Sequence, residues 1–259
     1  MSEDSSSVPL VKLSAYAGVK WGPVRGLIAV VVSYIVAQFV ALGALLLVTY
    51  FTHMSNSHAR HWLNSTFGQF VFIVLAEGFT VLLLWLMLRK RITFKSLGFT
   101  RRPRLSDPLW AIVAGMAYYV LLIIVTVLAG WLAHIPLDQK QEIGFDTVTT
   151  NLDKILTFVS LVILPPLVEE TLFRGVLFSG LRKKLPFIWS ALLVSVAFAI
   201  PHLLEGKGGL LWVGGIDTFL LSIALCILRE YTGSLWASIV LHMLKNGIAY
   251  LYLFIFISK

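Results

Sequence analysis

The chain has 259 residues, 58% of them hydrophobic and only 13% charged, and 21 Lys and Arg against 13 Asp and Glu give a net charge of +8. With a strongly positive mean hydropathy, this excludes a soluble globular domain, in which about 25% of residues are charged. The basic residues flank apolar stretches and lack interleaved base-stacking aromatics, so the charge points to membrane lipids with anionic headgroups and excludes nucleic acid as a partner.

Residues 1–24 are Ser-rich and polar and are expected to form a mobile N-terminal tail, ahead of a single helical membrane domain over 25–259. A membrane-spanning helix needs roughly 20 mostly apolar residues. Such stretches occur at 26–51, 66–88, 109–133, 155–181, 187–204, 210–228 and 233–257, which predicts an all-α polytopic membrane protein with seven spans, in a range of six to eight. The first stretch is too long for a signal-peptide core and lacks a small-residue cleavage site after it, so it reads as a retained helix. No internal repeat is visible, and Cys226 is the only cysteine, so the chain forms no internal disulfide.

With the N-terminus inside, Lys12, Lys20, Arg25, Arg89, Lys90, Arg91, Lys95, Arg101, Arg102, Arg104, Arg182, Lys183, Lys184 and Arg229 fall on the cytoplasmic side. Arg60, Lys140, Lys154, Lys207 and Lys259 fall on the other. This asymmetry satisfies the positive-inside rule. The loop from His134 to Lys154 is mildly acidic and, on the opposite side, is expected to be a solvated connector, the alternative being a cover over a site.

Ionisable residues at membrane depth are costly and face protein or a water-filled cavity. The spans hold Glu77, Glu169, Glu170, Arg174, His202, Asp217, His242 and Lys245. Pro165 and Pro166 remove two backbone donors just before the acidic pair and loosen the helix there. Glu170 and Arg174 have the spacing of an intrahelical ion pair. Successive helical residues point about 100° apart, so Glu169 is left free to face a cavity and shares no partner with Glu170. Alone, this motif also fits a structural clamp between helices. Phe198, one turn before His202, would wall the imidazole, although a lone histidine at a helix end is commonly an interfacial residue. His242 and Asn246 share a helix face and could both donate to one oxygen, or serve as helix–helix glue. Asp217 and Lys245 are expected to pair between the last two spans, and Glu77, with no evident partner, is expected to line the cavity.

Taken together, a carboxylate beside a positive charge and a histidine could deprotonate a water, while a second His and an Asn could stabilise an oxyanion. That is equipment for peptide hydrolysis. Glu169-Glu170-x-x-x-Arg174, Phe198-x-x-x-His202 and His242-x-x-x-Asn246, in order over roughly 161–250, resemble the three signatures of the CPBP intramembrane proteases. That family includes type II CAAX prenyl endopeptidases and bacteriocin-processing relatives, and Leu97-Gly98-Phe99 followed by Arg101 and Arg102 resembles the basic loop of bacterial members.

The resemblance implies an intramembrane endopeptidase of a prokaryotic cell membrane, with a cavity open toward the cytoplasm and a peptide or lipidated protein as substrate. Glu169 would be the base, His202 its assistant, and His242 with Asn246 the oxyanion hole, with Glu170, Arg174 and Phe198 in support. The family has been described both as metalloproteases and as metal-independent glutamate proteases. The zinc-hydrolase spacing His-Glu-x-x-His is absent, so no cofactor is required by the residues. The alternative is zinc held by Glu169, His202 and His242. Non-enzymatic readings are a membrane scaffold or immunity protein of the same family, and a transporter, which would need charges through both halves.

Overall fold

The computed structural model describes Tyr16 and residues 18–256. Among these the chain is all-helical apart from one isolated antiparallel bridge between Gln141 and Gly206. The helices are α1 (Pro23–Phe51), α2 (Asn56–Asn64), α3 (Thr66–Leu88), α4 (Phe94–Leu97), α5 (Ser106–Ala133), α6 (Asn151–Arg182), α7 (Phe187–Leu203), α8 (Trp212–Thr232) and α9 (Trp236–Phe256). Six of them, α1, α3, α5, α6, α8 and α9, are long and apolar enough to cross a membrane. The expected fifth span, α7, is a shorter apolar helix of 17 residues. The chain is an all-α polytopic membrane protein.

α1 pairs with α3 and α7 with α8, while α5 packs on α8 and α9, and α6 runs through the middle against α1, α3, α7, α8 and α9. Its central place is visible in burial. Leu172 to Arg182 are buried without a break, as befits a helix surrounded on every side. Gly175 permits the closest approach, because a Cβ there would meet the Leu97 carbonyl oxygen at 2.9 Å.

α6 is not one regular helix. Val159–Ile163 and Thr171–Phe178 are wound as π-helix on either side of the α-helical Leu164–Glu170. The first π stretch adjoins Pro165 and Pro166, where the α ladder lacks donors. Leu161 has a proline at both the fourth and the fifth position ahead, so neither α nor π winding offers its carbonyl an N–H. Asn246 of α9 supplies the donor from outside, Nδ2 to Leu161 O at 2.9 Å.

The polar tail expected over 1–24 lies, for residues 1–15 and 17, outside the described residues. Its final part does not behave as a tail. Tyr16, Val19 and Trp21 are buried, and the Trp21 indole donates to Val176 O at 2.9 Å. The Tyr16 hydroxyl donates to Glu230 Oε2 at 2.8 Å, and Glu230 also receives Arg182 at 2.6 and 3.0 Å. Burial, the largest influence on the Tyr16 phenol, raises its pKa, and Glu230 acts in the same direction. This cluster locks the end of α6 to α8 and to the segment before α1.

Removing one partner of a buried ion pair strands the other charge. Glu230→Ala is therefore expected to lower stability by about 3–5 kcal/mol, read as a loss of unfolding temperature in detergent, whereas Lys184→Ala, at an exposed position, is expected to be close to neutral.

Candidate active site

The three motifs converge. Glu170 and Arg174 are fully buried and paired, Oε1 to Nη1 at 2.9 Å, and the same Glu170 oxygen meets His242 Nδ1 at 3.0 Å. Arg174 also reaches Ser222 O at 3.3 Å and lies over the Phe198 ring at 4.6 Å. Phe198 in turn contacts His202, with ring centroids 5.1 Å apart, and His242, at 5.7 Å. The clamp spacing and the aromatic wall expected from sequence are both present.

One expectation is corrected. Glu169 and Glu170 do share a partner, because the His242 ring lies between them. Its Nε2 is 3.7 Å from Glu169 Oε2, while Nδ1 is bonded to Glu170. Two carboxylates about 100° apart on a helix can address one imidazole when its two nitrogens point apart.

These contacts fix proton positions. A carboxylate only accepts, so His242 Nδ1 carries hydrogen toward Glu170, and the neutral ring turns its Nε2 lone pair toward Glu169. His202 Nδ1 lies 3.0 Å from Phe198 O. A carbonyl also only accepts, so this ring too has its second nitrogen as an acceptor when neutral. Asn246 already spends one N–H on Leu161 and has one left.

Glu169, His202, His242 and Asn246 line one cavity of about 250 Å³, together with Glu205, Lys245, Tyr250 and others. A second void of about 10 Å³, bordered by Glu169, His202 and Tyr34, adjoins them and is about large enough for one water. Sequence reasoning missed Tyr34, which is unremarkable within the apolar α1, and Glu205, for which its place three residues after His202 was the available signal. Glu77, expected to line the cavity, is in neither lining. Lys245 pairs with Asp217 at 3.1 Å as expected, and Asp217 also accepts from the Tyr118 hydroxyl.

The connector expected over 134–154 is instead part of the site. Gln141, Glu142 and Ile143 line the cavity. The loop is held by Glu142 N to Glu205 O at 2.8 Å, Gln141 Nε2 to Glu205 Oε2 at 2.6 Å and Gln139 Nε2 to Leu210 O at 2.8 Å. On its other flank Phe145 is buried with a positive φ of 61°, and its N–H bonds Gln69 Oε1 at 2.7 Å. The cavity therefore extends from the middle of the bundle to the end at which α5 and α7 finish.

Among the described residues, no three His, Cys, Asp or Glu side chains are gathered so as to hold a metal ion. Glu169, His202 and His242 do not form such a set.

Residues 151–248 match the family model described as type II CAAX prenyl endopeptidase Rce1-like. This stretch, less than half of the chain, is similar to that family. It begins at the first residue of α6 and ends within α9, so it contains all three motifs and leaves out Tyr34, Glu77 and the 134–150 loop. Neither a curated protein nor a solved structure matches the chain.

Two outcomes test this geometry. Asn246→Ala is expected to cost about 1–3 kcal/mol by stranding the Leu161 carbonyl, a stability loss measurable by unfolding that a residue serving substrate alone would not give. For Asp217 and Lys245, either single neutralisation is expected to destabilise more than both together, and additive losses in the double-mutant cycle would exclude the pairing as a stabilising contact.

Proposed function

We propose that the chain is an intramembrane endopeptidase that hydrolyses a peptide bond with a water activated at Glu169. The observation that carries this reading is the buried Glu170–His242 contact, with Glu169 at the opposite side of the same imidazole. The Rce1-like segment supports it, since that family is one of proteases. The substrate is a lipidated protein cut near its C-terminus, or a leader-type or membrane-associated peptide.

Glu169 takes a proton from a water placed between its carboxylate and His202, and the hydroxide attacks the peptide carbonyl. His202, turned by its bond to Phe198 O, orients that water through Nε2. The remaining N–H of Asn246 donates to the developing oxyanion, and His242, when its ring carries both protons, adds Nε2–H beside it. When the tetrahedral intermediate collapses, the proton held by Glu169 passes to the leaving nitrogen. Glu170 and Arg174 touch no substrate atom in this scheme; they set the position and charge of His242. Phe198 holds the arginine and both imidazoles in register.

The test is cleavage of a quenched fluorescent peptide panel, prenylated and unprenylated, by detergent-purified protein with and without a chelator. Glu169→Gln is expected to lose about 10²–10⁴-fold in rate while its unfolding temperature is kept. Glu170→Gln is expected to lose rate and stability together. Retained cleavage in Glu169→Gln would remove the base from this scheme, loss with chelator would overturn its metal independence, and no turnover by folded wild type would favour a non-proteolytic scaffold.

A further inference from the structure

Seven cations gather where the start of α1 meets the ends of α3 and α6, apart from the catalytic motifs. A cleft of about 650 Å³ there is lined by Lys20, Arg25, Arg91, Lys183 and Lys184, and by no acidic residue. A second cleft of about 330 Å³ shares Arg25 and Arg91 and adds Arg89 and Lys90, again without an acid. Among the described residues, none of the seven forms an ion pair. Like charges at close range repel, and a fold that collects them without a carboxylate leaves the compensating charge to come from outside the chain.

Two of these cations also shape the cleft. Lys183 Nζ donates to Val19 O at 2.8 Å, and Arg91 Nη1 donates to Lys20 O at 3.0 Å. The segment ahead of α1 is thereby tied to the ends of both α6 and α3, and Trp21, in the cleft lining, adds its indole bond to Val176 O. Each tethered cation keeps N–H groups that these bonds do not use. The first turn of α1, which opens at Gly22 in the same lining, has no side-chain cap, so its backbone N–H groups and dipole add to the attraction for an anion.

The rest of the lining is largely apolar. Val24 and Ile28, one turn apart on α1, and Met87 on α3 border the cleft and are exposed. Both helices are long and apolar enough to cross a membrane, so this surface continues into the one that meets acyl chains. A free phosphate uses only the polar part of such a site, whereas a phospholipid uses both parts. This is also the end that the positive-inside rule assigns to the cytoplasm, where acidic lipids make the leaflet surface negative.

We infer that the cleft binds an anionic phospholipid, with its phosphate among Arg25, Arg91, Lys183 and Lys184 and an acyl chain along Val24, Ile28 and Met87. Bound there, the lipid joins the start of α1 to the ends of α3 and α6, and so steadies the helix whose middle carries Glu169 and Glu170.

Thermal unfolding of the full chain purified in detergent tests this without any turnover, so the outcome is independent of the protease reading. Phosphatidylglycerol titrated into the micelles is expected to raise the unfolding temperature to a plateau, and phosphatidylcholine and inorganic phosphate at equal concentrations are expected to leave it unchanged. Arg25→Gln combined with Lys184→Gln is expected to keep the unfolding temperature of lipid-free wild type. The same variant is expected to need about 30-fold more phosphatidylglycerol for the half-maximal shift, at about 1 kcal/mol for each cation removed. Should it not fold, Arg25→Gln alone is expected to need about fivefold more. Arg102→Gln combined with Arg104→Gln, in neither lining, is expected to respond as wild type does. An equal response to phosphatidylcholine, or an unaltered midpoint in the cleft variants, overturns the inference. So does an equal loss in the Arg102 and Arg104 variant, which marks a diffuse charge effect, and so does an equal shift with inorganic phosphate, which removes the lipid as occupant.

Discussion

A buried carboxylate must find positive partners or give up its charge, and Glu170 is that constraint in this protein. It has no exposure and binds both Arg174 and His242 through one oxygen. Uncompensated, such a charge in a low-dielectric interior costs several kcal/mol. Its two partners therefore dictate where neighbouring helices go. Arg174 brings Phe198 of α7 over its guanidinium and takes a carbonyl of α8, while His242 fixes the rotation of α9. Four helices are thus referred to one side chain, and the groups lining the cavity are placed as a by-product.

Backbone chemistry supplies a second constraint. The double proline leaves Leu161 without a donor, and an unpaired carbonyl at membrane depth has no water to turn to. Asn246 fills that place from α9, one turn beyond His242. The same α9 face therefore answers both a buried charge and a buried carbonyl, and this pins the spacing between His242 and Asn246 more tightly than catalysis alone would. A residue in such a position has two reasons to be Asn, and its loss of activity on substitution would not by itself identify a catalytic group.

Much of this was legible in the sequence because it is local or periodic. Spans follow from runs of apolar residues, and the Glu170–Arg174 pair follows from a four-residue spacing. The Asp217–Lys245 pair could be inferred because two charges at similar depth on consecutive spans have few other partners. What could not be read depends on contacts distant in sequence. Tyr16 and Glu230 are separated by 214 positions, and a polar N-terminal stretch gives no hint that it will dock on a buried carboxylate. Tyr34 reaches the water-sized void only because α1 packs on α6. The shared imidazole between Glu169 and Glu170 was missed because helical angles describe directions from an axis and say nothing about a ring inserted between them.

The loop over 134–150 shows why composition misleads about such segments. Acidic, polar residues at a membrane surface are what a solvated connector has, and they are also what a segment needs to pair with Glu205, Gln69 and the carbonyl of Leu210. The difference lies in whether donors meet acceptors in three dimensions, and here they do so on both sides of the 141–143 segment. Since Glu205 follows His202 by three residues, every bond that holds Gln141 and Glu142 also restrains the end of α7 that carries the imidazole. A segment that walls the cavity therefore also orients one of the groups inside it, and sequence variation in this loop acts on the geometry of His202 as well as on access.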